Sequence, residues 1–189
     1  MIYVDDHIDQ LDVAAALAAV DDERREYALR YKHERSRRQC LAAYLLLQQA
    51  LRLEYGITGA LRLQYNEHGK PSLVDYRDIH FNLSHCRDAV ACIVGDQPVG
   101  IDVECIDRYR PLLLDYTMNE QEREQIAASP HPATAFIRLW TMKEAVLKLT
   151  GQGITDDLHT VLADTEGYRF DTIIHPTYIC TACTIADDR

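Results

Sequence analysis

Three short runs between residues 79 and 104, IHFNLSH, AVACIVG and PVGIDVE, are separated only by the breaks CRD and DQ. Runs of this length and composition read as strands, and connections this short join antiparallel neighbours, because a parallel crossover needs a dozen residues or more. The stretch therefore predicts a small antiparallel meander. Ahead of it, HIDQLDVAAALAAV reads as a first helix, and a long helical pattern runs from about Asp21 to Tyr55, with CLAAYLLLQQAL as its apolar part and Gly56 and Gly59 at its end. LRLQY (61–65) alternates as a strand, and NEHGKPSL supplies turn residues. After the meander, MNEQEREQIAA (118–128) predicts a helix with Asn119 as N-cap, PHP (130–132) breaks it, and a second helix over 132–150 ends at Gly151. LHTVLAD, YRFDTII and TYICTACTIA predict three further strands. The order helix, strands, helix, strands predicts an α+β protein of two halves, 1–110 and 111–189, without a sequence repeat between them.

A chain of 189 residues with 47% hydrophobic and 26% charged residues is long enough for one sizeable core or two small packed halves, and is not disordered in composition. Its formal net charge of −10 argues against nucleic acid or an anionic membrane surface as partner. The charge is uneven, since RREYALRYKHERSRR (24–38) holds seven of the twenty Lys and Arg residues. That run reads either as a solvated helix face with ion pairs to Glu26 and Glu34 or as an anion-binding segment. The start lacks a basic n-region and an apolar h-segment, and no run is long enough to span a membrane, so a cytoplasmic location is expected. The six cysteines are then expected to be reduced thiols. Cys180 and Cys183 have the spacing of a redox or zinc pair, but they lie inside a strand pattern with no second pair.

Polar residues stand at three places where apolar ones would be the default. Ser84 and His85 end the run FNLSH. In PVGIDVE, strand alternation puts Val99, Ile101 and Val103 on one face and Gly100, Asp102 and Glu104 on the other, so two carboxylates stand side by side. Like charges that close raise each other's pKa unless a cation relieves them. In WTMKEAVLK, the residues Phe136, Leu139, Trp140, Val146 and Leu147 form one apolar stripe with Lys143 set into it, and Glu144 and Lys148 lie one turn apart on its shoulder. Taken singly, each feature has an ordinary structural reading: a strand-end hydrogen bond, a wet strand face, an exposed helix ion pair. Taken together they describe three carboxylates for a hard cation and His, Lys and Arg for phosphate, which is the ligand pattern of Mg²⁺.

The blocks NEHGKP, FNLSH, PVGIDVE and LWTMKEAVLKLTGQGI, in this order, resemble the signature blocks of the larger, single-chain class of 4′-phosphopantetheinyl transferases, the class that includes the surfactin-synthetase activator. The resemblance implies a pseudo-dimeric α+β fold of two similar halves in a monomeric chain, with coenzyme A and Mg²⁺, which Mn²⁺ can replace, in the cleft between them. It implies transfer of 4′-phosphopantetheine from coenzyme A to a serine of an apo acyl or peptidyl carrier protein, with release of adenosine 3′,5′-bisphosphate. Position by position, it makes Asp102, Glu104 and Glu144 the magnesium ligands and Lys148 a phosphate lysine. It makes Ser84 and His85 contacts to the phosphates, and Gly69, Lys70 and Pro71 the loop bordering the adenine. Glu120 corresponds to a candidate general base, and Arg24 and Arg38 lie near basic positions that face the 3′-phosphate. Tyr27 and Gln39 depart from the pattern, which has lysine and threonine there.

Attack of a serine hydroxyl on the β-phosphate of coenzyme A builds charge on phosphoryl oxygens and on the leaving bisphosphate, so cations are the main help a protein can give. Proton removal is the remaining task, open to Glu120 or to a water. Two other functions use the same residue types: a Mg²⁺-dependent nucleotide phosphohydrolase, which needs no acceptor protein, and a non-catalytic coenzyme A-binding module, which has no use for three metal acids.

Overall fold

The computed structural model describes residues 1–151, 153 and 158–186, and these build four layers in the order helix, sheet, sheet, helix. The first sheet has the order β1-β5-β4, from β1 (Ile2–Asp5), β5 (Val90–Gly95) and β4 (His80–His85), all antiparallel. Alternation buries both faces of its central strand. Val90, Cys92 and Val94 meet α3 (Glu34–Tyr55), with Leu47, Leu51 and Tyr44 in the same core, while Ala91 and Ile93 face the second sheet. Helices α1 (Val13–Ala19) and α2 (Asp22–Leu29) pack beside α3, capped by Asp12 and Asp21.

The second sheet has the order β6-β8-β7, from β6 (Val99–Cys105), β8 (Tyr178–Ile185) and β7 (Tyr168–Ile174). Val99, Ile101 and Val103, with Cys180 and Ala182, form the core between the sheets. The opposite face packs on α6 (Pro132–Thr150), which contributes Ala145, Val146 and Leu149 against Cys183, and Phe136 and Ile137 against Ile179. A short helix α4 (Leu114–Thr117) and α5 (Glu120–Ala128) lead into α6. Asn119 caps α5 in a full capping box with Glu122, Pro132 opens α6, and Gly151 ends it in the left-handed conformation.

Three expectations from the sequence change. The meander stops after β5, because β1, a strand the periodicity did not reveal, takes the second edge of β5, and β6 pairs with β8 instead. β6 thus lies ahead of residue 110 while its ladder partners lie after it. The helical pattern over 21–55 breaks between α2 and α3: the amides of Arg30 and Tyr31 close the end of α2 in tight turns, and Arg37 donates to the Tyr31 carbonyl at 3.0 Å. LHTVLAD forms turns rather than a strand, although Val161 and Leu162 still reach the core beside α6. A short hairpin, β2 (Leu63–Tyr65) with β3 (Pro71–Leu73), carries the NEHGKP turn. Gln152 and Ile154 of the fourth block lie outside the described residues. All six cysteines are free and buried, and Cys180 and Cys183 point to opposite faces of β8, as residues three apart on a strand must.

Candidate active site

β4 and β6 are edge strands of different sheets, and their edges meet. The outward amides of β6 have no ladder partner there, and side chains of β4 take that place: Asn82 Oδ1 accepts from Ile101 N–H at 2.9 Å and Ser84 Oγ from Val103 N–H at 3.2 Å. The Ser84 hydroxyl donates to Asp102 Oδ1 at 2.9 Å. Lys148 reaches into the same point from α6 and donates to Ser84 Oγ at 2.9 Å and to Asp102 Oδ1 at 2.6 Å. Three of the sequence blocks thereby converge on one buried carboxylate.

The close fit of α6 on β6 depends on Gly100, which shares the face of Asp102 and Glu104. A Cβ at this position would stand 1.9 Å from the Ala145 carbonyl oxygen and 2.6 Å from the Leu149 nitrogen. No side chain can occupy it, and the absence of one lets Lys148 reach Asp102.

Asp102 is buried, and its Oδ2 has no hydrogen-bond partner. Glu104, next on the same face, accepts from Arg108 at 2.5 Å. Burial, and then the charge of Asp102, push the Glu104 carboxyl above its ordinary range, although Arg108 pulls the other way. Glu144 on α6 is raised by the same causes in the same order, with Lys148 opposing. Glu104 and Glu144 therefore both feel the charge of Asp102. Among the described residues no three His, Cys, Asp or Glu side chains are arranged to share a metal ion, and Lys148 and Arg108 pair with Asp102 and Glu104. In kind the donors fit a hard cation: three carboxylates, mutually repelling, one with an unpartnered buried oxygen.

A cavity of about 330 Å³ opens beside this network, lined by Glu144, Lys148, Asn82 and Leu83 on one side and by His68, Gly69, Lys70 and Pro71 of the hairpin turn on the other. The turn is held from within by Asn66, whose Oδ1 accepts from the amides of His68 and Lys70, while Gly69 takes the positive φ that closes it. Lys70 has a structural task that its sequence did not reveal. Its ammonium donates to the Leu149 carbonyl at 2.8 Å and so caps the last turn of α6, and burial lowers its pKa. His85 stands exposed at the end of β4; the protein packed around its ring, and then Lys148, lower its pKa, against a backbone hydrogen bond and the charge of Asp102.

Three candidates lie elsewhere. Arg24 donates to the Cys40 carbonyl at 2.8 Å and its guanidinium sits over the rings of Tyr27 and Tyr44, so it braces α2 on α3. Arg38 pairs with Glu34 one turn away at 2.7 Å, the internal ion pair that the basic run allowed. Neither these arginines nor Glu120, which is exposed in the first turn of α5, line the cavity. The acid of α5 that the fold engages is Glu122. It accepts from Lys143 Nζ at 2.7 Å, and Lys143, wholly buried, also donates to the carbonyls of Thr117 and Leu158. A lysine in the middle of an apolar stripe was the signal for this pair; its partner could not be read from spacing.

The sequence profile of the 4′-phosphopantetheinyl transferase superfamily matches residues 98–184, the segment that holds β6, α6, β7 and all but the last residue of β8, and with them Asp102, Glu104, Glu144 and Lys148. Over that segment the chain is similar to the superfamily, and relatives that it matches over most of its length are named 4′-phosphopantetheinyl transferases. It is 28% identical over 160 residues to the 4′-phosphopantetheinyl transferase Sfp of Bacillus subtilis, covering 82% of this chain and 70% of that one. It is 33% identical over 138 residues to the 4′-phosphopantetheinyl transferase gsp of Aneurinibacillus migulanus, covering 71% and 57%. To a putative 4′-phosphopantetheinyl transferase of Haemophilus influenzae it is 36% identical over 126 residues, or 62% and 53%.

Proposed function

We propose that the protein transfers 4′-phosphopantetheine from coenzyme A to a serine of an apo acyl or peptidyl carrier protein and releases adenosine 3′,5′-bisphosphate. The observation that carries this reading is the meeting of Ser84, Asp102 and Lys148, each from a different block and element, beside a cavity that Lys148 and the NEHGKP turn line. Coenzyme A lies in this cavity between the two halves of a pseudo-dimeric chain, 1–110 and 111–189, with Gly69, Lys70 and Pro71 beside the adenine and Ser84, His85 and Lys148 at the phosphates. Asp102, Glu104 and Glu144 hold Mg²⁺, which supplies positive charge at the pyrophosphate when bound. The enzyme works as a cytoplasmic monomer.

The chain's own residues supply the rest. Lys148 brings a cation to the point where phosphoryl oxygens gain charge, and its anchoring by Ser84 and Asp102 keeps it in place before substrate arrives. Glu120, exposed on α5, is open to a macromolecular acceptor and takes the proton of the carrier serine. Arg24 and Arg38 form a basic margin toward the 3′-phosphate. Mass spectrometry of apo acyl and peptidyl carrier proteins after incubation with the protein, coenzyme A and Mg²⁺ tests the proposal. Addition of phosphopantetheine to the carrier serine is expected; unmodified carriers alongside hydrolysed coenzyme A would point to a phosphohydrolase instead.

A further inference from the structure

Two cysteines outside the proposed chemistry occupy the next rung of the contact that builds the site. Asn82 meets Ile101 and Ser84 meets Val103, a constant offset of nineteen residues along β4 and β6. The next pair at that offset is Cys86 and Cys105. Both belong to the core cluster between the sheets; burial pushes the Cys86 thiol up to about 12, and the neighbouring Cys105 side chain adds to that shift. They also line a second cavity of about 330 Å³, shared with Glu104, Arg108 and Arg110. The backbone at Cys86 is tied on both sides: its amide donates to the Ala89 carbonyl at 2.9 Å and its carbonyl accepts from Gln39 Nε2 at 2.6 Å.

We propose that Cys86 and Cys105 are a thiol-oxidation site, closing to a disulfide under a disulfide oxidant and thereby governing the position of Glu104. One protein thiol attacks the oxidant's disulfide, forming a mixed disulfide and releasing one thiol; the second protein thiol attacks the protein sulfur of that bond and releases the other. The protein loses two electrons and two protons, and the oxidant becomes two free thiols. A disulfide holds two sulfurs about 2 Å apart, closer than any non-bonded contact, so the ends of β4 and β6 are drawn together. His85 and Glu104 directly precede the two cysteines and move with them. Displacements on the order of 1 Å at a reacting centre can cost about a hundredfold in rate, so closure slows the reaction.

The functional half of this inference rests on the transferase reading; the chemical half does not. The native protein is treated with glutathione disulfide, then digested and mapped by mass spectrometry, and carrier modification is followed before oxidation, after it, and after dithiothreitol. A Cys86–Cys105 peptide, at least a tenfold fall in transfer on oxidation, recovery on reduction, and insensitivity of both Cys86→Ala and Cys105→Ala are expected. Absence of that linkage, or its formation with transfer unchanged within twofold, overturns the proposal. Peptide mapping needs no activity, so a protein that forms the bridge yet is inactive when reduced still supports the oxidation site and counts against the transferase reading alone.

Discussion

Gly100→Ala places a single methyl group at the joint between α6 and β6. Its carbon would lie 1.9 Å from the Ala145 oxygen, 2.6 Å from the Leu149 nitrogen and 3.0 Å from the Ala145 carbonyl carbon, all of them main-chain atoms that cannot swing aside. Moving the nearest contact from 1.9 Å to the 3.0 Å floor for real Cβ atoms separates helix and strand by about 1.1 Å. The Lys148–Asp102 bond, 2.6 Å across the same joint, would then stretch to about 3.7 Å, beyond hydrogen-bonding distance. Overpacking of this kind costs about 1–3 kcal/mol. In a chain of this size that corresponds to a fall in Tm of roughly 2–12 °C. Because the displaced helix carries Glu144 and Lys148, transfer to a carrier protein should fall by about a hundredfold even where the variant is fully folded. Circular dichroism melts and carrier modification at saturating Mg²⁺ measure the two effects. Gly95→Ala is the control, since its new carbon meets a Val99 side-chain methyl at 3.2 Å and the Gln97 carbonyl oxygen at an ordinary 3.6 Å. A Gly100→Ala protein that melts within 2 °C of wild type (about 0.5–1 kcal/mol) and transfers within about twofold would refute the account of the joint.

Lys143→Ala should destabilise by about 3–5 kcal/mol in urea titrations, because it leaves Glu122 buried without its cation, whereas the pair Lys143→Met with Glu122→Gln should recover much of that loss; equal losses for both would contradict a coupled pair. Asp102→Ala, Glu104→Ala and Glu144→Ala should each nearly abolish transfer while melting as cooperatively as wild type, and excess EDTA should do the same to the unmodified protein; full activity in EDTA would remove the metal from the mechanism. Glu120→Gln keeps the shape of the side chain and removes the base, so single-turnover transfer should fall by about 10²–10⁴-fold with coenzyme A affinity preserved; a rate within a few-fold of wild type would leave Glu120 with only its favourable place at the start of α5, worth about 0.3–1 kcal/mol.

What could be read from the sequence follows from which interactions are local. Alternation in PVGIDVE assigned Asp102 and Glu104 to one face and the valines to the other, and the structure keeps that division. The Asn119 cap and the span of α6 were equally legible, because both are set within a few residues. Partners across the fold were not. Alternation says which side of a strand is buried but not which strand it joins, so the loss of β6 from the meander to β8 left no local trace. LHTVLAD satisfied a strand pattern with apolar residues that bury equally well from turns. The basic run showed its composition while its targets stayed hidden: Arg24 binds a carbonyl of α3 sixteen residues away, and Lys70 caps a helix seventy-nine residues on.

The pairing of β6 with β8 also bears on when the protein becomes whole during its synthesis. Asp102 lies opposite Thr181, so the strand carrying two of the acids leaves the ribosome long before the strand that holds it flat. The first sheet, with α3 across it, can assemble from residues already made. β6 meanwhile has one edge open and Asp102 and Glu104 without α6 above them, and it must wait for residues 178–185. Contacts closed over such a span slow folding, because the loop between them must be ordered before the ladder stabilises it. The acid strand is thus among the last parts to settle, and a nascent chain halted before β8 would carry its site residues without a site.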